Sequence, residues 1–192
     1  MTVLAVHPGL ARDLLDAALC TWVAAEAGLR LRSIGGKTSL DWTFGIVMAC
    51  LATGLSLGFR LAHAQSWVIA GGWAPVIAGL AVLILGAGLR IWAIMTLGRL
   101  FRFVVVIQRG HHVVRSGPYR VLRHPSYTGA LVGMLGIGIA LSNWLSIAAL
   151  VLIPLAGILV RIRIEEAKLF SALGQDYSDY AARTCRLIPG LW

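Results

Sequence analysis

Charge is scarce in this sequence, and acid is scarcer still. Only 13% of its 192 residues are charged, against about 25% in ordinary soluble domains. Eight are Asp or Glu, and between Asp41 and Asp176 the only acids are the adjacent pair Glu165 and Glu166. With 58% hydrophobic residues and a mean hydropathy of +0.81, this excludes a soluble domain. Cysteine is scarce as well: Cys20, Cys50 and Cys185 lie far apart, a pattern that supports neither a disulfide framework nor a zinc site. The N-terminal stretch lacks a basic region leading into a clean apolar run and a small-residue cleavage site, so no removable signal peptide is expected. Two nucleotide-binding patterns also fail. The GGKTS at 35–39 has Leu31 where a phosphate-binding loop needs its first glycine, and the GAGLRI at 86–91 lacks the third glycine of a dinucleotide fingerprint.

What is present is a succession of apolar runs. Spans are expected at about 14–29, 42–61, 75–97, 125–141 and 145–160. The first is the least regular, with Arg12, Asp13 and Asp16 at its start and Glu26 inside it. The expectation is therefore a single all-α integral membrane domain over 1–192, with about five transmembrane helices, three of them in 1–97. A long polar connection occupies 98–124, and Asn143–Trp144 marks the turn of a helical hairpin. From Arg161 to Tyr180 the spacing of Leu169, Phe170, Leu173 and Tyr177 predicts an amphipathic C-terminal helix at the membrane surface, with a break at Gly174. Five spans would put fourteen of the seventeen Lys and Arg residues on one side: three in the first loop, six in the 98–124 connection and five in the tail. That asymmetry places the connection and the tail in the cytoplasm and the N-terminus outside. It also accounts for the net charge of +9 without nucleic acid as a partner. Gly54 with Gly58, and Gly129 with Gly133, have the small-xxx-small spacing of closely packed membrane helices. Arg90, inside the third span, reads as a side chain snorkelling to the interface.

Chemistry concentrates in two places. The segment 110–129, GHHVVRSGPYRVLRHPSYTG, holds three histidines, three arginines and two tyrosines but no acid. Its Pro125 suits the first turn of a helix whose amide donors would face the polar segment. The second place is Arg161, Arg163, Glu165 and Glu166, where the last span leaves the bilayer. Arg161 and Glu165 share a helix face, which by itself reads as an intrahelical ion pair. A site gathering several cations around one carboxylate also suits a zwitterionic ligand. His111, His112 and His124 have no accompanying cysteine and no zinc-type spacing, so no metal is expected.

The string G-H-x-V-V-x-x-G-x-Y-x-x-x-R-H-P-S-Y-x-G, followed by R-x-x-x-E-E and then G-x-x-Y-x-x-Y, resembles the isoprenylcysteine carboxyl methyltransferase family. That family has phospholipid methyltransferases and membrane sterol reductases among its wider relations. The resemblance covers about residues 98–189 and implies methyl transfer from S-adenosyl-L-methionine to a lipophilic small-molecule substrate, with membrane lipids as further partners and 98–192 as the catalytic half. By motif position it implies that His111, His112, Val113, Val114 and Tyr119 contact the cofactor. His124, Pro125, Ser126 and Tyr127 are implied in the same role. Glu165 matches the family's acidic cofactor contact and Arg161 its substrate-binding arginine, and these two are the implied catalytic pair. The acceptor expected is a carboxylate such as an isoprenylcysteine. Phospholipid amino headgroups, an NADPH-dependent reduction and a non-enzymatic scaffold binding anionic lipid stand as alternatives.

Overall fold

The computed structural model describes residues 42–63, 67–98 and 113–190, together with Ala17. Within them the chain forms α1 (Trp42–Leu61), α2 (Ala74–Leu97), a 3-10 turn (Gly117–Arg120), α3 (Pro125–Ala140), α4 (Trp144–Leu173) and α5 (Gln175–Ala181). The only β-type pairings among the described residues are two isolated bridges, Val68 with Asn143 and Leu122 with Cys185. The protein is thus an all-helical integral membrane protein. Helices α1, α2 and α4 are long and apolar enough to cross a bilayer. The apolar α3 has 16 residues, or about 24 Å at 1.5 Å per residue, short of a hydrocarbon core of about 30 Å. Four of the five expected spans therefore fall on helices, and the one at 14–29 lies outside the described residues.

One expected boundary is absent. Residues 161–173, anticipated as the start of a separate surface helix, continue α4, which runs unbroken for 30 residues and about 45 Å. Pro154 lies inside it, but its ring packs at 3.1 Å from where a Cβ on Gly54 would be, so α1 covers the place where the helix loses a backbone hydrogen bond. The break comes at Gly174, whose φ of 54° is in the left-handed region that glycine tolerates. At the other end Asn143 caps α4 by accepting from the amides of Leu145 at 2.9 Å and Ser146 at 3.2 Å. Ile69 N–H donates to the carbonyl of Ser142, and Trp144 N–H to that of Trp67, which ties the α1–α2 loop to the α3–α4 turn.

The helices pack antiparallel in the order α2, α3, α4, α1. Between α2 and α3 the backbones nearly touch: a Cβ on Gly86 would sit 2.7 Å from the carbonyl oxygen of Gly129 and 2.8 Å from the Cα of Gly133. Such approach is open only to small residues, and it supplies the close packing on which helix association in lipid depends. The α1–α4 contact repeats the theme with Gly54 on Pro154 and Gly58 on Leu150, so both glycine pairs singled out by spacing lie at helix contacts. The fully buried Ile137, Leu150, Ile158 and Ile162 form the seam along α3 and α4. With the two loops at one end, the opposite end gathers the start of α1, the end of α2, the 3-10 turn, the start of α3 and the charged part of α4. Nine of the ten described lysines and arginines lie at that opposite end, Arg60 being the exception.

Candidate active site

Segment 113–124 reaches the bundle through glycine and proline. Gly117 has a φ of 55°, and a Cβ there would meet Thr96 Oγ1 at 2.9 Å, so the turn lies directly on the end of α2. Pro118 and Tyr119 are buried within it. The Tyr119 hydroxyl is pushed well above the ordinary tyrosine range, by burial first and by the nearby Glu165 carboxylate second. Helix α3 then begins at Pro125, as its sequence predicts, with His124 in the capping position. Arg90 does more than snorkel: its guanidinium donates to the Ser126 hydroxyl at 2.9 Å and to the Ser126 carbonyl at 3.1 Å. It thus binds the end of α2 to the first turn of α3.

Glu165 and Glu166 point about 100° apart around α4, as neighbours on a helix must, and serve two different networks. Glu165 is half-buried and accepts from the Tyr127 hydroxyl at 2.9 Å. That hydroxyl in turn accepts from Arg161 Nε at 2.6 Å, so Tyr127 joins the two residues expected to pair along the helix. Arg161 is only 4% exposed. Its Nη1 donates to Thr43 Oγ1 at 3.1 Å, and its guanidinium carbon lies 5.6 Å from the centre of the Phe44 ring. Through these contacts α1, which carries no recognisable motif, closes one side of the site.

Glu166, also 4% exposed, is the centre of the second network. Arg123 Nε lies 3.1 Å from its Oε1, His124 Nε2 lies 3.3 Å from the same oxygen, and Arg186 Nε donates to Oε2 at 2.9 Å. A buried carboxylate is tolerated only with such partners. Around it the tail is sewn to the polar segment by main-chain bonds: Arg123 N–H donates to the Cys185 carbonyl at 2.7 Å, Cys185 N–H to Val121 at 2.9 Å and His124 N–H to Arg186 at 3.1 Å. The Tyr180 hydroxyl donates to the carbonyls of Tyr119 at 2.9 Å and Leu122 at 3.3 Å. Burial raises that hydroxyl to about 12, so it remains a donor at any physiological pH. Leu187, 3% exposed, completes the attachment within a cluster that includes Val47, Ile158 and Ile162, with Tyr127 packed against it.

Of the residues predicted from sequence, Tyr119, His124, Pro125, Ser126, Tyr127, Arg161 and Glu165 therefore meet at one end of the bundle. Val113 and Val114 lie half-buried on the irregular stretch just before the 3-10 turn, and His111 and His112 lie outside the described residues. The residues to which motif reading gave no role in the site are Glu166 with Arg123 and Arg186, Arg90, and Thr43 with Phe44. Among the described residues there is no group of three or more His, Cys, Asp or Glu side chains that could hold a metal ion.

Comparison with known proteins gives a second line of information. Residues 79–171 match the profile of the isoprenylcysteine carboxyl methyltransferase (ICMT) family. Over 113 residues the chain is 37% identical to protein-S-isoprenylcysteine O-methyltransferase B of Arabidopsis thaliana, a match covering 58% of this chain and 57% of that protein. It is 41% identical over 113 residues to the protein-S-isoprenylcysteine O-methyltransferase of Tribolium castaneum, covering 58% of this chain and 40% of that one. The chain thus spans little more than half the length of the plant relative, and less of the insect one. The fold is similar to a solved structure described as the eukaryotic intramembrane Ras methyltransferase ICMT, with a TM-score of 0.57 and 31% identity over 80% of this chain and 55% of that one. By motif, by sequence and by fold, residues 79–171 are similar to the isoprenylcysteine carboxyl methyltransferase family.

Proposed function

We propose that this protein is a membrane methyltransferase that moves a methyl group from S-adenosyl-L-methionine to the carboxylate of a lipophilic acceptor of the S-isoprenylcysteine kind, on the cytoplasmic side of its membrane. The observation that carries this reading is the relay from Arg161 through Tyr127 to Glu165. It sets a buried cation and a half-buried carboxylate on either side of one hydroxyl. The donor set fits the cofactor: Glu165 offers a negative charge to a cationic ligand, while Val113, Val114, Tyr119 and the start of α3 offer apolar and aromatic surface. His111 and His112 complete the proposed cofactor contacts by motif position. When bound, the cofactor supplies a methyl group on a sulfonium sulfur, a centre that departs as a neutral thioether.

The chain's own work is to bind, orient and dry. A carboxylate acceptor is already ionised at neutral pH, since an α-carboxyl titrates near 3.5, so no residue is needed as a base. Arg161 holds the acceptor's anion in a fixed direction, the office for which a planar guanidinium is suited. Alignment of the reacting groups then supplies most of the advantage over solution. An amino headgroup would bring a cation toward Arg161, so the geometry favours the carboxylate over a phospholipid amine. The one-sided distribution of lysine and arginine supports the cytoplasmic placement of this end.

The test is a comparison of two variants in one detergent. Glu165→Gln keeps shape and removes charge, and should weaken binding of S-adenosylhomocysteine by about 1.5–3 kcal/mol, the worth of hydrogen bonds to charged groups. Arg161→Gln should leave that affinity nearly intact while cutting methyl transfer to an S-farnesylated N-acetylcysteine. The division of roles is wrong if both variants show the same profile in both assays. Thermal stabilisation of the wild type by NADPH in place of S-adenosylhomocysteine would point to a reductase instead.

A further inference from the structure

We propose that Thr43 and Phe44, at the start of α1, are positioning residues that fix the Arg161 guanidinium and thereby set how an anionic acceptor is held. The inference rests on the functional reading above and adds to it a part of the chain that the family match does not reach, since that match begins at residue 79.

Three observations support it. First, Thr43 is a polar residue only 1% exposed in the first turn of a largely apolar helix. A threonine hydroxyl needs a partner when buried, and Thr43 Oγ1 accepts from Arg161 Nη1 at 3.1 Å. Second, Phe44 lies under the same guanidinium, its ring centre 5.6 Å from the central carbon. A ring face there attracts the cation and limits its tilt. Third, the register that delivers both residues is fixed elsewhere. Gly157 is tight against Cys50, with 2.9 Å from its would-be Cβ to Sγ, and Gly54 is tight against Pro154. These contacts leave α1 no freedom to slide along α4, so Thr43 and Phe44 arrive at Arg161 by construction.

The arrangement explains how a cation on a long, flexible stem can act as a precise anchor. An arginine side chain has several rotatable bonds, and unrestrained it would meet an anion in many poses. Here Nε is committed to Tyr127 and Nη1 to Thr43, with one ring face beneath. The plane of the guanidinium is thereby set before any acceptor arrives. Such preorganisation lowers the ordering cost of binding, and for a transfer that depends on alignment it acts on turnover as well.

The experiment uses the full chain in detergent, with S-farnesylated N-acetylcysteine as acceptor and S-adenosylhomocysteine as donor probe. Thr43→Val keeps volume and removes the hydroxyl. It should raise the acceptor KM and lower kcat, reducing kcat/KM about tenfold or more, as for loss of one hydrogen bond to a charged group, while the S-adenosylhomocysteine affinity stays within twofold of wild type. Thr43→Ser retains the hydroxyl and should restore kcat/KM. Phe44→Leu should cost about five- to thirtyfold, between the worth of an exposed and of a desolvated cation–π contact. A contact that merely satisfies a buried arginine would lower the thermal midpoint without separating acceptor kinetics from donor affinity. If Thr43→Val matches wild type in kcat/KM, or if Thr43→Ser fails to restore what Thr43→Val loses, the positioning role is overturned. If instead the wild type neither binds S-adenosylhomocysteine nor methylates the acceptor, it is the functional reading that fails, and this inference falls with it.

Discussion

Glu165 and Glu166 are chemically identical neighbours with opposite duties, and only their surroundings distinguish them. Glu166 is buried against Arg123, His124 and Arg186. Removing the acid strands three cationic or protonatable groups at once, and breaking a buried pair costs about 3–5 kcal/mol. Glu166→Gln should therefore lower the stability of the detergent-solubilised protein by roughly that amount in a reversible denaturation series. Glu165→Gln, at a half-buried position with Tyr127 as its hydrogen-bond donor, should cost far less stability. Equal losses for the two variants would contradict the assignment of one acid to the frame and the other to the site. The resemblance singles out Glu165, but the part Glu166 plays in the frame could not be read from the sequence, because Arg123 and Arg186 lie 43 and 20 positions away from it. The helix face each acid presents depends on a helix end that charge alone misplaced.

That misplacement belongs to the scale of whole elements. Arg161 looks like the point where an apolar helix leaves the bilayer, because an unpaired charge there would be expensive. With Tyr127, Thr43 and Phe44 around it, the charge is accommodated and α4 continues for another three turns. Signals carried by the backbone itself were legible: Pro125 at a helix start, Asn143 at a turn and Gly174 at a break. Signals requiring a partner from another helix were not, which is why Thr43 and Phe44 passed unnoticed on a helix without a motif. The α2–α3 contact offers a test at this scale. A methyl group at Gly86 would press on the backbone of Gly129 and Gly133, so Gly86→Ala should separate the two helices. Overpacking of this kind costs about 1–3 kcal/mol. Because Arg90 one turn later binds Ser126, the same substitution should also weaken S-adenosylhomocysteine binding. Calorimetry showing full affinity together with an unchanged thermal midpoint would contradict the tight packing described for this pair.

For the molecule as a whole, the consequence of antiparallel packing is polarity. The loop at 67–73 and the turn at 141–143 lie at one end, and the polar segment with the tail attached to it lies at the other. Nine described cations sit at the polar end against Arg60 at the loop end, and membranes retain such clusters on the cytoplasmic face. Reporter domains inserted after Gly71 and after Gly117 should therefore report opposite compartments, with the second in the cytoplasm. Detection of both on the same side would refute the arrangement. The architecture of four packed helices was largely readable, because hydropathy and small-residue spacing are local properties. The attachment of residues 184–187 to the polar segment was not, since it is made mainly of main-chain bonds that no residue type announces.

A hydroxyl group has a single hydrogen, and at Tyr127 that hydrogen is directed to Glu165, leaving only lone pairs for Arg161. The relay therefore couples the two bonds through one polarisable oxygen. A cation settling beside Glu165 draws on the carboxylate, loosens its hold on the hydrogen and leaves the phenolic oxygen a poorer acceptor for the arginine. Arg161, its plane still held by Thr43 and Phe44, would then have more of its charge to offer an anion. The two ends of the site would in this way sense each other through one atom, without any helix having to move, and each ligand would strengthen the hold on the other by the same factor.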